Sequence, residues 1–148
     1  MTDLAYAKQL IALDHGLSVI VAMRPDGTPH TSVVNAGVMA HPLRGDEVVA
    51  FVTAGRARKL AYLRADPRIT AVVRAGWQWA AVAGTAELIG PDDRHQDVDD
   101  ERLRLLLREI FTSAGGTHDD WDTYDRIMRQ ERRTAVLVAP TRTYSNPG

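Results

Sequence analysis

The 148-residue sequence contains no cysteine, which excludes disulfides, zinc–thiolate sites, iron–sulfur clusters and cysteine nucleophiles together. No apolar run approaches the roughly 20 residues that span a bilayer. The first residues also lack the basic stretch and the apolar segment of a secretory signal. These absences predict a cytoplasmic protein, and the length suits one domain over residues 1–148.

The sequence also has little net charge, −1, so its bulk electrostatics give no reason to expect a nucleic-acid partner. The charge is unevenly distributed, because bases dominate from Arg56 to Arg74, where Asp66 is the only acid. A local basic patch fits a small anionic ligand better than a long polyanion. We therefore expect a small-molecule substrate and neither nucleic acid nor a membrane as a partner.

Hydrophobic periodicity predicts strands in the first two thirds of the chain and helices later. Asp26–Gly27 is typical of a hairpin turn, and Asp92 is a candidate N-cap for the helical region. The predicted elements are a helix over 4–13, strands over 17–23, 31–35 and 48–52, a short helix over 56–63, strands over 69–74 and 78–89, helices containing Leu103–Phe111 and Trp121–Met128, and a strand over 134–138. This order predicts an α+β, barrel-like domain of mostly antiparallel strands.

The stretch Phe51–Leu60 passes from a strand through Gly55 into the start of a helix. A helix start has unpaired N–H groups and a positive dipole end, both of which stabilise an anion. Thr53 adds a hydroxyl, and Arg58 with Lys59 adds charge-assisted donors. This combination suits a phosphate monoester, and the alternative is a solvated basic helix face.

Three segments resemble the pyridoxamine 5′-phosphate oxidase-like superfamily. Ala57–Arg68 is similar to that family's Ser-Arg-Lys-x-x-Asn-Leu-x-x-Asp-Pro-Arg stretch, although Ala57 and Tyr62 replace the usual Ser and Asn. Gly16–Ser18, followed by a strand, Asp-Gly and Pro29–Val34, is similar to the family's opening. Arg133–Asn146 ends in a Pro-Thr-Arg-x-Tyr-Ser-Asn pattern that resembles the branch using the deazaflavin coenzyme F420.

The resemblance implies a split β-barrel, a homodimer with cofactor sites at the interface, and a cofactor phosphate bound by Arg58 and Lys59. It also implies that the strand after His30 faces the cofactor ring, that the Gly76–Trp79 segment adds contacts, and that Arg56 meets the anionic tail of F420. The expected cofactor-binding residues are Ser32, Val34, Asn35, Thr53, Arg56, Arg58, Lys59, Trp77, Gln78 and Trp79.

The sequence is compatible with three functions. The first is a reductase that uses reduced F420 as hydride donor, and the second is a related oxidase or reductase that uses FMN. The third is a non-catalytic protein that carries such a cofactor or a haem. The five histidines show no metal-ligand spacing, so we expect no metal site. Only His30 lies on a strand expected to face the cofactor, and the sequence names neither a catalytic residue nor a substrate.

Overall fold

The computed structural model describes residues 3–146. It contains six strands and four helices, and none of the helices in these residues is long and apolar enough to cross a membrane. The elements in chain order are α1 (Ala5–Leu13), β1 (Leu17–Met23), β2 (Pro29–Ala40), β3 (Glu47–Thr53), α2 (Arg58–Ala65), β4 (Arg68–Ala75), β5 (Gln78–Ile89), α3 (Asp100–Ser113), α4 (Trp121–Gln130) and β6 (Thr134–Ser145).

The six strands close into a barrel in the order β1-β2-β3-β6-β5-β4, and every neighbouring pair is antiparallel. The α+β barrel of antiparallel strands is therefore confirmed. β2 and β6 extend well beyond their predicted bounds: β2 passes from β1 to β3, and β6 continues along β5 after its pairing with β3 ends at Val138. β2 pairs with β1 over residues 29–35 and with β3 over 36–40, so one long strand serves two sides of the barrel.

The strands β3 and β6 are buried on both faces, which explains their continuous apolar runs. In β3, Val49 and Phe51 lie in the core inside the barrel, whereas Val48 and Ala50 lie in a second core under α3. β6 alternates in the same way between these two cores. The second core is completed by the apolar face of α3, so this helix is packed on the barrel wall that carries β3 and β6.

The N-cap of α3 is Asp99, whose side chain accepts a hydrogen bond from the Arg102 N–H at 2.8 Å. The expectation that Asp92 would fill this role was wrong. Asp92 instead pairs with Arg132, and two isolated bridges fold residues 90–98 into a compact connection before the helix begins. Both residues are acidic and precede the same apolar pattern, so the sequence alone did not distinguish them.

Helix α4 is attached to α3 through side chains. The buried carboxylate of Asp125 accepts hydrogen bonds from Arg104 Nη1 and Arg108 Nε, each at 3.0 Å. The Tyr124 hydroxyl donates to the Leu107 carbonyl at 3.1 Å. The hydrogen bonds from Arg108, together with those from Arg104, hold the pKa of Asp125 below its usual value. One charged residue therefore connects α4 to two turns of α3.

His41 lies buried between β2 and β3 and organises their connection. Its Nδ1 accepts from the backbone N–H groups of Leu43 at 3.1 Å and Arg44 at 3.3 Å. The ring proton is therefore on Nε2, which lies 2.7 Å from Glu87 Oε1 on β5. This histidine fixes a turn and a strand contact, unlike the solvated loop position that its sequence surroundings suggest.

We expect His41→Ala to lower the free energy of unfolding by about 1–3 kcal/mol, because two backbone donors lose their acceptor. His95→Ala is the control, since the His95 ring accepts from a single exposed N–H, that of Asp97. Its effect should be about 0.5 kcal/mol. Urea unfolding of both variants checks this, and equal losses would show that His41 does not organise the turn.

We expect Asp125→Asn to loosen α4, with a loss of about 1–2 kcal/mol, because the amide replaces a carboxylate that accepts from two arginines. Hydrogen exchange of residues 121–130 measures the effect, and Asp122→Asn on the exposed side of the same helix is the control. The lowered pKa means that the stabilisation is complete above the ordinary carboxyl pKa and is lost as the pH falls through the folded-state value. Acid-insensitive exchange in α4 would contradict this role of Asp125.

Candidate functional site

A cleft of about 590 Å³ opens where β2 and β3 separate. Its walls come from the middle of β2, the end of β3, the first turn of α2 and the facing surfaces of α3 and α4. Val34, Thr53 and Lys59 lie on the barrel side, and Phe111 and Met128 lie on the helical side. A cleft of this size is in the range of about 300–1,000 Å³ that is usual for small-molecule sites.

Beside the cleft, the backbone of β2 forms hydrogen bonds with a neighbouring strand on only one of its two edges. Its pairing with β3 ends at Ala36–Phe51, and the Ala36 N–H donates towards β1, to the Gly16 carbonyl at 2.8 Å. Because backbone groups alternate between the two sides of a strand, Val33 and Asn35 direct theirs towards the side that β3 has left. This edge therefore offers backbone donors and acceptors to a ligand in the cleft.

Two cations and no carboxylate are found among the described residues that line the cleft. Lys59 is only 8% exposed, and its Nζ lies 5.8 Å from the centroid of the Phe51 ring. Arg133 is more accessible, and its Nε donates to Glu131 Oε1 at 2.8 Å. Glu131 itself does not line the cleft. Burial, with a contribution from Arg133, lowers the pKa of Lys59. The cleft is thus an electropositive site in which a bound anion would compensate a buried amine.

The N-terminus of α2, at the edge of the cleft, has no side-chain cap. Its N-cap residue is Ala57, which makes no side-chain hydrogen bond where a serine could. The first turn contains no acidic residue either. The helix dipole and the cationic side chain of Lys59 therefore act in the same direction and favour an anion.

The structure brings together four of the ten expected cofactor-binding residues. Val34, Asn35, Thr53 and Lys59 all line the cleft. Asn35 also has a structural contact, because its Nδ2 donates to the His15 carbonyl at 2.8 Å. Its amide oxygen accepts no hydrogen bond within residues 3–146.

Ser32 shares with Val34 the face of β2 that points into the barrel, opposite to the face that carries Asn35. Its cross-strand neighbour is Ile20, a core residue, and its hydroxyl oxygen is enclosed without a hydrogen-bond partner among the described residues. His30 shares this face and packs against the Tyr62 ring, with centroids 5.3 Å apart. The histidine that lines the cleft is His15.

Trp77 and Trp79 line a separate, shallow depression on the outside of the barrel with Val72 and Tyr144. Trp77 is 95% exposed, whereas Trp79 packs edge-on against the Tyr144 ring at 6.0 Å. The backbone of Trp79 is also fixed, because its N–H group donates to Asn146 Oδ1 at 3.0 Å. In one chain, these aromatic rings are therefore not part of the cleft.

The three other expected residues, Arg56, Arg58 and Gln78, are exposed and line neither depression. Arg56 and Arg58 form no ion pair within residues 3–146, so both cations are available to a ligand or a partner. Their contacts with a cofactor remain predictions from the family resemblance.

The sequence did not single out the helical side of the cleft or Arg133. The pair Thr53–Thr134 between β3 and β6 brings Arg133 beside the end of β3, a proximity that requires the strand order. Tyr124 lies on α4 and lines the cleft. Burial raises its pKa to about 12, so this hydroxyl stays protonated at neutral pH. Arg133 is the first residue of the segment Arg133–Asn146, and the family resemblance of that segment was the one feature of the sequence that pointed to it.

No family model matches the chain. Solved structures nevertheless align over nearly its whole length. An F420 reductase is 17% identical, with 93% of this chain and 94% of that chain covered and a TM-score of 0.62. A pyridoxamine 5′-phosphate oxidase-related, FMN-binding protein from Nostoc punctiforme is 17% identical, with 96% and 80% covered and a TM-score of 0.65.

A heme-binding protein from Mycobacterium smegmatis is 13% identical, with 99% of this chain and 58% of that chain covered and a TM-score of 0.61. The names of these three proteins mention three different ligands, F420, FMN and heme, but all three proteins share the architecture of this chain. The chain therefore shares the fold of these structures, a closed barrel of six antiparallel strands with helices packed against it.

Proposed function

We propose that the protein is an oxidoreductase that uses reduced coenzyme F420 as hydride donor to a small organic substrate. The observation that carries the proposal is the buried Lys59 amine in a cleft without a carboxylate. A phosphate placed between Lys59 and Arg133 would compensate the Lys59 amine and could accept hydrogen bonds from Arg133, so the residues present fit a phosphorylated flavin-type cofactor. The names of two similar structures, the F420 reductase and the FMN-binding protein, support this class of ligand.

Each wall of the cleft would have its own role. Lys59, Arg133 and Thr53 would hold the phosphate, and the free edge of β2 at Val33 and Asn35 would bind the edge of the ring. Phe111 and Met128 would exclude water from the opposite side. The bound deazaflavin would supply the hydride, and the protein would supply orientation and a dry site.

The second candidate is an FMN-dependent oxidase or reductase, because Lys59 and Arg133 would bind the phosphate of either cofactor equally well. The exposed Arg56 favours F420, whose anionic tail extends beyond the phosphate. A carrier of haem is the third candidate, and it rests on His15, the histidine that lines the cleft. The absorbance spectrum of protein loaded with each ligand separates the three.

We propose that the protein acts as a homodimer. Outward-facing apolar residues form a row across five strands, because Val33 pairs with Val19, Val19 with Val72, Val72 with Ala81, and Ala81 with Tyr144. Val33 is 66% exposed and also lines the cleft. A second copy on this row would therefore reach the edge of the cleft and could bring Trp77 or Trp79 to it.

For the dimer, we expect light scattering at micromolar concentration to give about twice the 16.3 kDa chain mass. Val19→Glu should produce monomers, because it places a charge in the middle of the row. Leu13→Glu is the matched control, since Leu13 is 68% exposed at the end of α1 and outside the row. A monomeric wild type, or a dimeric Val19→Glu variant, would refute this interface.

For the cofactor, we expect F420 to bind more tightly than FMN and Lys59→Met to weaken both. The loss should be roughly 1.5–3 kcal/mol, which is on the order of tenfold to a hundredfold in affinity. Burial disfavours the charged amine, so methionine should not lower the stability of the free protein. Titration followed by cofactor fluorescence gives the affinities, with Lys8→Met as the control.

Arg56→Ala should weaken F420 and leave FMN unchanged, because only F420 has an anionic tail. Wild-type affinity in Lys59→Met for both ligands would place the phosphate elsewhere. Tighter binding of FMN by tenfold, about 1.4 kcal/mol, would replace the F420 assignment with the FMN-dependent one.

A further inference from the structure

The chain has 18 basic residues, of which only Lys8 and Lys59 are lysines. Lys8 is on α1 with its side chain 63% exposed, and its Nζ lies 3.7 Å from Glu47 Oε2. Lys59 is buried and faces the cleft. Arginine cannot lose its proton in a protein, so these two residues are the only basic side chains that can become neutral amines.

The burial of Lys59 shifts its equilibrium from the ammonium towards the neutral amine. The side chain is buried, and Lys59 has no ion pair within residues 3–146. The ionisable groups that line the cleft with it are His15, Tyr124 and Arg133, none of which is negative at neutral pH. Burial and Arg133 lower the pKa of Lys59, so its neutral fraction exceeds that of an ordinary lysine. A desolvated lysine beside a second cation is the environment that activates amines for carbonyl chemistry.

We propose that Lys59 is a covalent binding site for aldehydes that carry a phosphate group. The neutral Nζ attacks the carbonyl carbon, a C–N bond forms, and the carbonyl oxygen takes up a proton. The carbinolamine then loses water, and an imine remains. The step needs no oxidant or reductant, because the amine and the aldehyde become the imine and one water molecule. The phosphate would bind Arg133, and Thr53 offers a hydroxyl at the same end of the cleft.

This inference concerns the proposed cofactor site but does not depend on which cofactor occupies it. Imine formation requires the neutral amine, whereas binding of a cofactor phosphate is strengthened by the ammonium. An aldehyde phosphate would therefore react with the neutral form of Lys59, the cofactor would bind its charged form, and the two ligands would compete for this one residue. Accumulation of such aldehydes would inhibit the protein through the same residue that holds its cofactor.

The test uses pyridoxal 5′-phosphate as the probe, followed by reduction with sodium borohydride and mass spectrometry of the peptides. We expect Lys59 to be labelled about tenfold faster than Lys8 at neutral pH, because the buried amine is less protonated. 5-Deoxypyridoxal has the same aldehyde, no phosphate and no hydroxyl that could mask the aldehyde as a hemiacetal, and it should label Lys59 more slowly. Arg133→Ala should remove the difference between the two probes. Because each peptide is read separately, labelling of the N-terminal amine does not interfere.

Lys59→Arg keeps the charge and should abolish labelling at this position, whereas Lys8→Arg should leave labelling of Lys59 unchanged. Equal or faster labelling of Lys8 in the wild type would overturn the proposal. Equal labelling of Lys59 by both probes would overturn its phosphate requirement. A separate titration with F420 and FMN distinguishes the two hypotheses: labelling of Lys59 without cofactor binding refutes only the proposed function, and cofactor binding without selective labelling refutes only the imine.

Discussion

The separation of β2 from β3 beyond the Ala36–Phe51 pair is the constraint on which the site depends. If the two strands stayed paired, their edges would satisfy each other and no cleft would exist. β2 remains paired with β1 over residues 29–35, so its opposite edge is unpaired while the strand itself is held in the sheet. The same departure turns the end of β3 towards α2, and this brings Thr53 and Lys59 to one wall.

Burial of Lys59 has a cost in the free protein, because a charged amine without a carboxylate is poorly solvated. An exposed cation would bind a phosphate more weakly, since water would compete and screen the charge. A bound anion would therefore compensate the side chain that the cleft destabilises. The lowered pKa of the amine and the anion affinity that we propose for it would both follow from the same environment.

The helices α3 and α4 convert the open side of the barrel into a bounded site. α3 is fixed by its apolar face on β3 and β6, and α4 is fixed to α3 by the Asp125 carboxylate. Because α4 carries Tyr124 and Met128, the geometry of the cleft depends on an ion pair outside it. Conditions that protonate Asp125 would loosen the helical wall before the barrel.

The sequence by itself determined the number and type of the strands, the hairpin at Asp26–Gly27 and the passage of the basic stretch Phe51–Leu60 from a strand into a helix. These features depend on local periodicity, turn chemistry and charge, which neighbouring residues express directly. Only the tertiary structure decided which cations face the cleft: Lys59 is enclosed whereas its neighbour Arg58 is exposed. It also placed Ser32 inside the barrel, Trp77 on its outer surface and Arg133 beside Thr53. Strand order and side-chain direction set these positions, because both arise from contacts between residues far apart in the chain.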